Sequence, residues 1–175
     1  MKGTIPAALA VVMVLAAGPG RPGEVRYSMT FSSAQLHLEP ANGFVRVTMQ
    51  GCELTEVVGE PQLPVRTVRL ALPPGASVIG VEATVGGAEV VASEVNIFPA
   101  QPPQPYSVKQ AIEFVPPKAE IYTRLEPYPA GVVQLLGQGQ MGGLPIAEIA
   151  IYPVAYIPAH HQLVLRERVE LSVRY

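Results

Sequence analysis

The stretch Leu163-Val164-Leu165-Arg166-Glu167-Arg168-Val169-Glu170-Leu171-Ser172-Val173-Arg174-Tyr175 decides the fold class. Val169, Leu171 and Val173 alternate with charged and polar residues, a period of two that sets one row of side chains on a core and the other in water. The pattern predicts a long strand with Arg166, Arg168, Glu170 and Arg174 outward. The same style recurs upstream. Ala34-Gln35-Leu36-His37-Leu38 and Phe44-Val45-Arg46-Val47-Thr48-Met49 both alternate. Asn42-Gly43 lies between them, and both residues tolerate positive φ, so a hairpin is predicted there. Residues 65–72 continue the pattern with Arg66 and Arg69 solvated. Pro73-Pro74-Gly75 then ends the strand, because proline offers no N–H to a ladder.

Residues 78–85 and 89–98 read as two strands around Gly86-Gly87, and the glycine pair predicts that they form a hairpin. Residues 146–152 are almost continuously apolar, which suits a strand covered on both faces. No window carries a helical stripe with caps beyond a possible short turn near 108–114, and no period of 20–50 residues emerges. The expected architecture is all-β: a single β-sandwich or jelly-roll-like domain of about ten strands. The exception is 99–117, where Pro99, Pro102, Pro103, Pro105, Pro116 and Pro117 rule out an interior strand and predict a long proline-rich loop.

Composition sets the frame. The chain has 175 residues, enough for one domain with a core and hardly for two. Sixteen glycines and nineteen prolines exceed the usual combined share of roughly 12%, as expected for many strands and turns. A charged fraction of 15% with abundant Val, Leu and Ala excludes a disordered chain. The formal charge of -2 gives no electrostatic attraction for nucleic acid or an anionic membrane.

Residues 1–17 read as a secretory signal peptide. Lys2 supplies the positive start, 5–17 is an apolar run broken only by Pro6, and cleavage is expected near Ala16. The run is too short to cross a bilayer comfortably, so no stable membrane insertion is expected after cleavage. Residues 18–24 form a flexible lead-in, and 25–175 the domain body. Export is the implied destination, either secreted or to the cell envelope. The single cysteine, Cys52, has no internal disulfide partner and reads as a small buried hydrophobe on a strand.

Residue types for catalysis do not assemble. The sequence contains no Asp, which excludes a Ser-His-Asp constellation. Pairing Cys52 with His37, His160 or His161 would need an electropositive site, whereas Glu53 and Glu56 flank the cysteine. His160-His161 cannot both ligate one ion from a regular strand and reads as a solvated turn, so no metal site is expected. Gly137-Gln138-Gly139 and Gly142-Gly143 lack the basic residue and following helix of a phosphate cradle and read as a mobile loop between strands. Glu53, Glu56 and Glu60 read as solvent-facing charges. No cofactor and no enzymatic activity are expected of this chain.

Two proline-bearing signatures then stand out, Gly59-Glu60-Pro61-Gln62-Leu63-Pro64 and Tyr152-Pro153-Val154-Ala155-Tyr156-Ile157-Pro158. Between them come Pro73, Gly75, Tyr128-Pro129 and Gly143. In this order Gly59, Pro61, Leu63, Pro64, Pro73, Tyr128, Pro129, Gly143, Pro153, Tyr156 and Pro158 resemble the propeptide domain of gingipain-type cysteine peptidases, over roughly 25–175. The resemblance implies an all-β prodomain that assists folding of a cysteine peptidase domain and keeps it latent. It also implies a loop that carries a basic residue into the peptidase's specificity pocket. Residues 99–117 fall at about that place, and Lys109 is their only basic residue, the candidate plug. The loop bears no arginine, so an Arg-specific target is not implied. With no catalytic domain after Tyr175, the partner peptidase lies either in cis in a longer precursor or in trans. The alternative from another class is a stand-alone secreted β-sandwich adhesion or carbohydrate-binding module, which predicts exposed aromatics among Tyr106, Tyr122 and Tyr128. A structural envelope protein is a third.

Overall fold

A computed structural model of the chain describes residues 23–103 and 113–175. Within them lie twelve strands, against the ten or so expected. They are β1 (Glu24–Thr30), β2 (Leu36–Ala41), β3 (Phe44–Met49), β4 (Glu53–Leu54), β5 (Pro64–Ala71), β6 (Gly80–Val85) and β7 (Ala88–Ala92). After a one-turn helix α1 (Ala119–Tyr122) follow β8 (Val133–Met141), β9 (Leu144–Ile151), β10 (Val154–Ile157), β11 (Gln162–Arg166) and β12 (Arg168–Arg174). The all-β class holds.

The strands form antiparallel sheets in the orders β1-β12-β6, β10-β11-β7, β2-β3 and β4-β5-β9-β8. One continuous core unites them, with Val25, Val169, Leu171 and Val173 from the first sheet meeting Val68, Leu70, Ile149 and Ile151 from the last. In β12 the alternation predicted from sequence is realised: Val169, Leu171 and Val173 are buried while Arg168, Glu170 and Arg174 are exposed. The 42–43 hairpin is also as predicted, with Ala41 opposite Phe44 and Asn42 in the left-handed region at φ 51°. Strand β9 pairs on both edges, with β5 and β8, and its Ala147, Ile149, Ala150 and Ile151 are buried.

Four expectations are corrected. Gly86-Gly87 does not close a hairpin. β6 pairs with β12 and β7 with β11, so 80–92 runs beside 163–174 as one ribbon that changes sheet at the glycines. Gly86 N donates to Arg168 O at 2.9 Å and Glu167 N to Gly87 O at 3.1 Å. Gly87 has φ 94°, and a Cβ there would lie 2.3 Å from the Glu167 carboxylate. The pair serves close approach and bending, a use of glycine that the sequence does not separate from a turn.

The same sheet change corrects Arg166, which is 8% exposed and not outward. Alternation is inverted at 166–167 alone, so Leu165 and Arg166 are both buried while Glu167 and Arg168 both face water, and the odd-numbered row is buried again from Val169. The Arg166 guanidinium donates to Tyr152 O at 2.8 Å. Burial pushes its pKa below the ordinary value, and an arginine there still carries its charge.

The glycine segment 137–143 is no mobile loop. Gly137 and Gly139 lie within β8, and Gly142-Gly143 is the two-residue turn between Met141 and Leu144. Pairing with the isoleucine-rich β9 outweighs the weak intrinsic strand preference of glycine. Lastly, Cys52 is half-buried in the turn before β4 and not on a strand.

Candidate functional site

The first signature is a rail to which both ends of the proline-rich stretch are tied. Gln62 N donates to Phe98 O and Gly59 N to Ala100 O, each at 2.9 Å, and Ala100 N donates back to Glu60 O at 2.8 Å. Pro61 faces Pro99 across an antiparallel bridge. These bonds hold the outgoing stem. The returning stem is held by the same residues, since Lys118 N donates to Gly59 O at 2.8 Å. Gly59 has φ 82°, and a Cβ on it would meet Lys118 Cγ at 3.1 Å and Pro116 O at 3.5 Å. Only glycine allows both the left-handed backbone and the close approach of the second stem.

Side chains reinforce the junction. Glu60 accepts from Lys118 Nζ at 2.9 Å with one oxygen and from the Tyr128 hydroxyl at 2.7 Å with the other. Burial alone would raise the Glu60 pKa, but the bonds from Tyr128 and Lys118 outweigh it and hold the carboxyl below its usual value. Burial, together with the bond to the Glu60 carboxylate, pushes the Tyr128 phenol well above its ordinary value. Glu60 is therefore a half-buried, doubly bonded carboxylate and not the solvent-facing charge expected of it.

The second signature joins through Tyr128. Tyr128 N donates to Tyr156 O at 2.7 Å and Tyr156 N to Tyr128 O at 2.8 Å. The Tyr128-Pro129 peptide is cis. Tyr156 is fully buried, Pro153 and Pro158 are buried beside it, and its ring lies 6.0 Å from that of Tyr122. Tyr122 in turn donates its hydroxyl to Ile97 O at 2.7 Å, at the root of the outgoing stem. Leu63 and Pro64 are buried at the start of β5.

The structure thus joins Gly59 and Pro61 to the stems and Tyr128, next to Pro129, to Tyr156, and it buries Leu63, Pro64, Pro153 and Pro158. It leaves Pro73 and Gly143 apart, at the turn after β5 and the turn between β8 and β9. Sequence reasoning missed Glu60, Lys118 and Tyr122. Glu60 had one available signal, its position inside the quoted motif. Lys109 and Tyr106 lie outside the described residues. Tyr122 and Tyr128 are half-buried with both hydroxyls bonded, so neither offers the exposed ring of a carbohydrate platform.

Other candidate chemistry does not converge. Burial pushes the Cys52 thiol up to about 11, which leaves it protonated and unreactive at neutral pH. His160 and His161 are exposed in the β10–β11 turn, where His161 Nδ1 bonds Asn96 Oδ1 at 2.9 Å. Among the described residues no group of three metal-ligating side chains could hold an ion, and no helix is long and apolar enough to cross a membrane.

A β-scaffold whose 59–64 segment bonds both Ala100 and Lys118, on the two sides of the proline-rich stretch, is what the geometry defines. The family model Propeptide_C25 matches residues 22–175, and the chain belongs to that family. Among solved structures it is similar to gingipain K of Porphyromonas gingivalis, from a study of zymogenic latency. There the identity is 26%, the TM-score 0.66, and coverage 92% of this chain and 95% of that one. It shares its fold with a chain from the complex of Porphyromonas gingivalis RgpB pro- and mature domains. That match has 15% identity and a TM-score of 0.67 over 94% of this chain and 85% of the other. No curated protein matches the sequence.

Proposed function

We propose that the chain is an exported, non-catalytic prodomain that binds a gingipain-type cysteine peptidase domain, assists its folding and keeps it latent. The observation that carries this reading is the family match across 22–175. The likeness to a gingipain K structure concerned with zymogenic latency supports it. Residues 1–17 direct export and 25–175 form the prodomain. The peptidase is engaged by the segment between the two stems, with Lys109 entering the specificity pocket. Rigid stems favour this role, because a segment held at both ends loses less entropy on binding.

The test is inhibition of a peptidase in trans. Purified chain added to mature gingipain K is expected to suppress cleavage of a peptide substrate. Lys109→Ala is expected to weaken that suppression by about tenfold or more, the scale of a buried anchor residue. Equal inhibition by the variant would remove Lys109 from the account. No inhibition by the unaltered chain would overturn the latency reading.

A further inference from the structure

Above the rail, the Gln101 side chain joins the two stems. The Gln101 amide donates through Nε2 to Pro99 O at 3.1 Å and to Val115 O at 2.9 Å, and its Oε1 accepts from Val115 N at 2.8 Å. A carboxamide presents a donor and an acceptor side by side, so it pairs with a peptide group as a neighbouring strand would. Backbone pairing is hindered here, because Pro102, Pro103, Pro116 and Pro117 supply no N–H groups. The Gln101 side chain takes the place of the missing rung.

An aromatic cluster backs it. Phe98 on the outgoing stem and Phe114 on the returning one lie 5.8 Å apart between ring centroids, and Phe44 packs within 6.2 Å of both. The Arg46 guanidinium sits over the Phe98 ring, 4.3 Å from its centre, a cation–π contact that helps to hold it. Counting from the fold outward, the neck has the Gly59 rail, the Glu60–Lys118 pair and then the Gln101 bridge.

We infer that Gln101 is a positioning residue for peptidase binding: by pairing with Val115 it closes the neck of the excursion and presets the stems for the partner. The inference rests on the peptidase reading above. A neck without the bridge would leave the Val115 peptide group without its partner and allow the stems to separate, while the core beneath is untouched.

Two variants of the full chain test it. Gln101→Leu removes all three bonds and is expected to speed hydrogen exchange of the Val115 amide by about tenfold, the effect of losing a hydrogen bond worth roughly 1.4 kcal/mol. It should weaken inhibition of gingipain K by a similar factor without shifting the thermal midpoint of the domain. Gln101→Glu retains the acceptor but loses both donations. On protonation, below about pH 4, it regains one donor, so its Val115 exchange, corrected for intrinsic rates, should slow there. Unchanged Val115 exchange in both variants would overturn the bridge. Faster exchange with undiminished inhibition would overturn the positioning role. Failure of the unaltered chain to inhibit would remove the peptidase reading and the positioning role with it, whereas the exchange data would still decide the bridge.

Discussion

The 59–64 and 152–158 segments each carry two prolines, yet they do different work. In the first, polar groups alternate with buried ones; one Glu60 oxygen and the backbone on either side of Pro61 are bonded to the stems, and the other Glu60 oxygen to Tyr128. In the second, 153–156 is wholly buried, and the Tyr156 hydroxyl has no hydrogen-bond partner among the described residues. A fully satisfied, half-buried polar network specifies one arrangement. An unpartnered hydroxyl inside a core marks a site where ring volume matters and polarity does not. The first signature holds the excursion; the second fills the fold to which it is held.

This contrast can be broken most severely at Tyr156. Tyr156→Ala is expected to cost about 3–5 kcal/mol of unfolding free energy, the range for removing a buried aromatic ring. Tyr156→Phe should cost nothing and should add up to about 1 kcal/mol by removing an unpaired buried hydroxyl. Urea denaturation of both variants checks the pair, and a large loss for the phenylalanine variant would show that the hydroxyl is used.

Glu60→Gln comes next, with an expected loss of about 1–2 kcal/mol at neutral pH, the scale of a hydrogen bond to a charged group. Its sign with pH is fixed. The folded-state pKa of Glu60 lies below its unfolded value, so its contribution is fully present above about pH 5 and lost as pH falls through the depressed folded value. The variant should therefore show a flatter stability profile than the unaltered protein between about pH 5 and pH 3. Equal slopes would mean that the carboxylate is not held as described. The smallest effect belongs to the outer face of the β1-β12-β6 sheet, where Arg26 and Glu24 pair at 3.0 Å in water. Arg26→Ala should leave the urea midpoint unchanged, as exposed ion pairs contribute little.

What was legible in the sequence is what local rules govern. The alternation of β12, the Asn42-Gly43 turn and the stop after β5 each depend on residues next to one another. Glu60 was not legible, because its partners Lys118 and Tyr128 lie 58 and 68 positions away. Gly86-Gly87 misled for a different reason: a glycine pair permits a tight turn and a close crossing equally well, and only the ribbon beside it selects one. Arg166 misled at the same place, since the sheet change inverts positions 166 and 167 alone while the odd-numbered row stays buried on either side. The motif residues were read as a set through the family resemblance, and two of them, Pro73 and Gly143, serve turns away from the neck.

The central claim is that this fold presents the segment between its two stems to a cysteine peptidase. Hydrogen exchange of the chain alone and with gingipain K, its active site left intact, tests it most directly. The account predicts new protection concentrated in 98–118, with the outer face of the β1-β12-β6 sheet unchanged. Binding with protection confined to that sheet, or no change anywhere in the chain, would contradict it.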